Sequence, residues 1–138
     1  MKKLISFRKT VQMSLFIFGL LFLFHLSIIV GVLFFDFAPV DFLWGGRLET
    51  AEKLLSFEIF SILIMVLCIL IVLVKSGKLN FPKALGAVRI ALWFLFFMFL
   101  LNTIGNVLAK TIFEKSFAII TAILAFLSLR LALEKNHK

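Results

Sequence analysis

Four long apolar runs separated by short polar intervals make up almost the whole chain, at residues 11–35, 54–74, 84–106 and 116–133. Each is close to or above the roughly 20 helical residues that cross a hydrocarbon core about 30 Å thick. Backbone polar groups in lipid must be satisfied within the protein, and a helix does this along its own length. The pattern therefore predicts an all-α, multi-pass membrane protein: an antiparallel four-helix transmembrane bundle forming a single integral membrane domain over residues 1–138. The intervals are too short for a separate soluble domain, so function must reside in the helices and their connections.

The first run follows Met1-Lys2-Lys3 and has the outline of a secretory signal. It is much longer than the roughly 7–15 residues of a signal core and no A-x-A cleavage pattern follows, so it reads as a retained helix. The second run stops at Lys75-Ser76-Gly77-Lys78, and Pro82 sits in the short interval beyond.

Charge sets the expected orientation. Eleven cations fall at one end of the runs (Lys2, Lys3, Arg8, Lys9, Lys75, Lys78, Lys83, Arg89, Arg130, Lys135 and Lys138) and four at the other (Arg47, Lys53, Lys110 and Lys115). Arg89 and Arg130 lie just inside their spans and are expected to snorkel outward. The positive-inside rule then places both termini in the cytoplasm, N-in/C-in. All the acids except Glu134 gather at the outer end: Asp36, Asp41, Glu49, Glu52, Glu58 and Glu114. The composition, 63% hydrophobic and 16% charged, leaves too little polar surface for a soluble domain of this size. A net charge of +8 raises nucleic-acid binding, but the cations are scattered at span ends rather than grouped with aromatics on a polar face. Nucleic acid is excluded as a partner, and the bilayer takes its place. The layout resembles that of small four-span inner-membrane proteins of bacteria, so the plasma membrane is the expected location; no residue role follows from that resemblance.

The polar candidates lie mostly at the outer end. The first interval carries Asp36, Asp41, Pro39 and Trp44-Gly45-Gly46-Arg47, with Leu48 to Lys53 read as the start of the second helix and Glu49 with Lys53 as an i,i+4 pair. Its structural reading is an interfacial Trp44, a glycine turn and an Arg47 paired with a nearby acid; its functional reading is a headgroup-binding loop with Arg47 as the cation. Asn102, Asn106, Lys110 and Glu114 are spaced by four and predict one polar face on a helix continuing past the membrane. Its asparagines should face another helix or a hydrated cleft, and Lys110 with Glu114 fits a surface ion pair. Glu58, placed about one turn into the second span, needs a cation, and Arg47, Lys110 and Lys115 are the partners at its height. Glu58, Ser61, Met65 and Cys68 share a face that should look inward. His25 lies deep in the first span, several turns below Glu58 by this reckoning, so the two are not expected to touch. Its alternatives are a hydrogen-bonded neutral side chain and an intramembrane proton step. On the fourth span, Ala118, Thr121, Ala125, Ser128 and Ala132 form the small-residue stripe that lets helices approach closely.

No catalytic signature is present: there is no nucleophile elbow, phosphate loop, HExxH or cysteine pair. One cysteine, Cys68, and isolated histidines give no expectation of a metal or other cofactor. The leading expectation is a noncatalytic bundle with an outer-face site for a lipid headgroup, small molecule or partner helix, formed by Arg47, Glu58, Asn102, Asn106 and Lys110. The alternatives are a small oligomeric transporter or channel using His25 and Glu58, and an outer-face lipid-modifying enzyme using Asp36, Asp41 or Glu49. A homo-oligomer or a partner membrane protein belongs with the first two.

Overall fold

The computed structural model describes residues 5–135 and contains four helices long and apolar enough to cross a membrane. Helix α1 spans Phe7–Phe34, α2 Ala51–Lys75, α3 Leu85–Val107 and α4 Ile112–Leu133. Lys2, Lys3 and Lys138 of the charge pattern lie outside the described residues.

Helix starts are set by side-chain caps that apolar periodicity does not register. The Ser6 hydroxyl accepts from Lys9 N, that of Thr50 from Lys53 N and that of Thr111 from Glu114 N, each satisfying one otherwise unpaired first-turn N–H. These caps start α1, α2 and α4 three or four residues ahead of the apolar runs. Leu48 and Glu49 are nevertheless outside α2, which begins only after Thr50, although Lys53 still meets Glu49 at 3.5 Å. At the far end of α2, Gly77 takes a φ of 76°, the left-handed step that follows many helix C-termini.

The largest helix contacts are α3 with α4 and α1 with α2; α1 also meets α4, whereas α2 and α3 meet sparingly. The main core contains Phe18, Leu92, Phe99, Leu124 and Leu131. Ala118, Ala125, Ser128 and Ala132 of α4 are all buried, and Thr121 on the same stripe bonds α3 through Thr103 at 3.0 Å. Association within lipid depends on such close packing, because the surrounding chains are as apolar as leucine. The outward surface is apolar as well, with Phe16, Ile90, Phe94, Leu101 and Ile119 among the exposed side chains. Such a belt would be untenable in water.

The two ends of the bundle are built differently. At the end formed by the chain termini, Arg130 is 3% exposed. It does not snorkel: Nη1 pairs with Glu134 Oε2 at 2.5 Å and Nε donates to the Ile5 carbonyl at 3.3 Å. Lys75 donates to the Glu134 carbonyl at 2.8 Å, joining α2 to the same knot. At the other end, the loop between α1 and α2 folds back over the helices. Leu43 and Leu48 are buried there in a satellite cluster with Ile28 and Leu54.

Candidate functional site

The loop owes its shape to three consecutive residues of left-handed backbone: Trp44 at φ 55°, Gly45 at 70° and Gly46 at 66°. Two glycines adopt this conformation freely, but a tryptophan there costs about 1–2 kcal/mol. The cost is offset by what the tight turn achieves. The Trp44 indole Nε1 donates to Glu58 Oε1 at 2.9 Å, and its ring packs edge-on against Phe57 with centroids 5.3 Å apart.

Glu58 is 1% exposed, and its second oxygen lies 2.5 Å from His25 Nδ1. The two atoms share a hydrogen bond, so each carboxyl oxygen has one partner. This corrects two sequence expectations. The partners of Glu58 are His25 and Trp44 rather than Arg47, Lys110 or Lys115, and His25 and Glu58 do touch. Their heights explain why. His25 is nine residues before the end of α1, and Glu58 seven residues after the start of α2. At 1.5 Å per residue these depths are about 14 Å and about 10 Å, a gap that two side chains close. Ser61, Met65 and Cys68, on the same face of α2, are buried with Glu58.

Glu114 holds the loop from the other side. Thr111 caps α4, and its hydroxyl donates to Glu114 Oε2 at 2.9 Å, a variant of the reciprocal T-x-x-E capping box. Oε1 is thereby left to accept from Gly45 N at 2.5 Å. The expected ion pair between Lys110 and Glu114 does not form, because α3 stops at Val107 and Lys110 lies in the turn before α4. The four-residue periodicity from Asn102 to Glu114 therefore does not trace one helix face; the turn breaks it after Asn106. Asn106 reaches Thr121 at 3.5 Å, whereas the side chain of Asn102 makes no hydrogen bond among the described residues.

Breaking that helix gathers the polar residues instead of dispersing them. Arg47, Asn102, Asn106 and Lys110 line one cleft of about 880 Å³, walled also by Trp44 and Glu114. Neither Arg47 nor Lys110 takes part in an ion pair among the described residues. The fifth candidate, Glu58, is not in the lining; it lies behind Trp44 and anchors it. Asp36, Asp41 and Glu49 are exposed and outside the cleft. Among the described residues, no three His, Cys, Asp or Glu side chains come together as metal ligands would.

A smaller chamber of about 270 Å³, open to the exterior like the cleft, is lined by His25, Ser61, Ile64, Met65, Met98 and Phe99, among others. Trp44 and Asn102 belong to its wall and to the wall of the cleft. The sequence marks Trp44 as an interfacial anchor but gives no sign of its bond to Glu58. Its place before two glycines was visible, but its inward reach depends on backbone dihedrals set by long-range contacts. Compared with protein-family models, curated proteins and solved structures, the chain matches none.

Proposed function

We propose that this is a noncatalytic plasma-membrane protein that binds a net-anionic, phosphate-bearing headgroup in the cleft at the loop end of its bundle. The observation that carries the proposal is the convergence of Arg47, Asn102, Asn106 and Lys110 on one cleft. Two cations without an ion-pair partner among the described residues and the unengaged Asn102 amide supply the donors. The single carboxylate in the wall, Glu114, has both oxygens occupied by Gly45 and Thr111. A cleft of this size falls within the roughly 300–1,000 Å³ usual for small-ligand sites.

The up-down-up-down order belongs to the same proposal, with both termini cytoplasmic and the cleft at the outer leaflet. It is supported by the Arg130–Ile5 contact at one end and the Gly45–Glu114 contact at the other, together with the eleven-to-four distribution of cations. The engagement of both Glu58 oxygens favours binding over transport, since a carboxyl with two fixed partners is a poor stepping stone for an ion.

Binding is tested by native mass spectrometry of the purified protein with phosphatidylglycerol or phosphatidylcholine added to the detergent. Wild type is expected to retain phosphatidylglycerol in preference. Arg47→Gln with Lys110→Gln should weaken that retention at least about tenfold, because a hydrogen bond to a charged group contributes roughly 1.5–3 kcal/mol. Equal retention by wild type and the double variant removes the cleft from the function.

A further inference from the structure

The cleft and the chamber share Trp44 and Asn102, and their chemistry is complementary. The cleft is cationic and amide-lined. The chamber is mainly apolar: its hydroxyls are already used, and the polar groups left on its wall are His25, bonded to Glu58, and the Asn102 amide, which it shares with the cleft. Ser61 donates to the Phe57 carbonyl at 2.8 Å, and Thr121 donates to the backbone of its own helix while bonding Thr103. Most of the chamber's wall is aliphatic and aromatic, a surface that suits a hydrocarbon chain better than water. Its walls include Phe60, Ser61, Ile64 and Met65 of α2 and Met98 and Phe99 of α3, the two neighbouring helices that meet least. Phe60 is itself exposed on the outer surface of the bundle. The seam between α2 and α3 is therefore the side on which the chamber borders the bilayer.

We infer that cleft and chamber form one site for a net-anionic, phosphate-bearing amphiphile. The phosphate lies against Arg47 and Lys110, the headgroup bonds Asn102, and one hydrocarbon chain passes beneath Trp44 into the chamber through the α2–α3 seam. The indole, held by Glu58 and behind it His25, forms the partition between the two compartments and positions the ligand where head meets chain. This rests on the headgroup reading above and adds the chain to it.

The test uses the full chain carrying Trp93→Phe, which leaves Trp44 as the sole tryptophan. It is placed in phosphatidylcholine nanodiscs doped with a few per cent of phosphatidylglycerol brominated on its acyl chain. Bromine quenches indole fluorescence on contact, and phosphatidylcholine brominated in the same way, at the same fraction, gives the background from surrounding lipid. The expected result is quenching by the anionic lipid at least about twice that background. It should be lost in Arg47→Gln with Lys110→Gln, and lost separately in Ile64→Phe, an apolar substitution that fills the chamber. Met98→Phe, which fills it from α3, guards against a folding defect in the first variant, and soluble glycerol phosphate should not displace the lipid. Quenching equal to background, or unchanged by both chamber-filling variants, overturns the inference. If phosphatidylglycerol retention still depends on Arg47 and Lys110 in that case, the headgroup reading stands alone. Displacement of the lipid by glycerol phosphate likewise overturns the chain's role, leaving a site for free phosphate compounds. Retention independent of both cations overturns the two together.

Discussion

Replacing His25 by leucine should destabilise the bundle by about 3 kcal/mol. The substitution is nearly volume-conserving, so packing changes little. What it removes is one of two partners of a carboxyl that is 1% exposed and surrounded by apolar helices. Deleting one member of a buried pair typically costs 3–5 kcal/mol, because the remaining group is left desolvated without compensation. The lower end applies here because Trp44 still bonds the other oxygen. The effect is measured as unfolding in mixed detergent micelles followed by helical circular dichroism. His25→Leu combined with Glu58→Leu should be more stable than His25→Leu alone, since removing both polar groups leaves no buried carboxyl short of a partner, and Trp44, 42% exposed, can find water. Additive losses in the double variant would show that the two residues act independently.

The second large effect lies at the opposite end. Arg130→Leu should cost about 2 kcal/mol, less than a typical broken buried pair because Lys75 remains beside Glu134. It also frees the Ile5 carbonyl that precedes α1, so hydrogen exchange in the first turn of α1 should quicken while exchange in the middle of α3 stays unchanged. Arg130→Lys should restore part of the stability but not the protection, because a single ammonium cannot span both acceptors as the guanidinium fork does. Unchanged exchange near Phe7 in Arg130→Leu would mean that the arginine does not anchor that segment.

These two residues also show what could be read from the chain. The four helices follow from apolar run length, and the inward face of α2 from the spacing of Glu58, Ser61, Met65 and Cys68, because both are local properties. Arg130 looked like a snorkelling residue because its sequence neighbourhood is a span end; the acceptors that bury it are Glu134, one turn on, and Ile5 at the far end of the chain. Depth reckoned from the ends of the apolar runs separates His25 from Glu58, whereas the caps at Ser6 and Thr50 fix helix ends that the runs do not mark. Thr111-x-x-Glu114 was a legible start signal for α4. Reading it would have ended α3 early and removed the continuous stripe through Lys110. The asparagines stand out by their cost in lipid, Arg47 by its place in the outer loop and Lys110 by the four-residue spacing, yet the reason they converge is the turn at residues 108–111 together with the left-handed backbone at Trp44. Neither has a periodic signature.

The central claim is that the loop end of the bundle holds a phosphate-bearing lipid on Arg47 and Lys110. Its most direct test is to extract the protein from native membranes in a polymer that retains surrounding lipid, wash progressively, and identify what stays bound. The expected result is a phosphate-bearing anionic lipid enriched over the bulk membrane on wild type, approaching one per chain, and absent from Arg47→Gln with Lys110→Gln. Bound lipid matching the bulk composition in both proteins would contradict the claim.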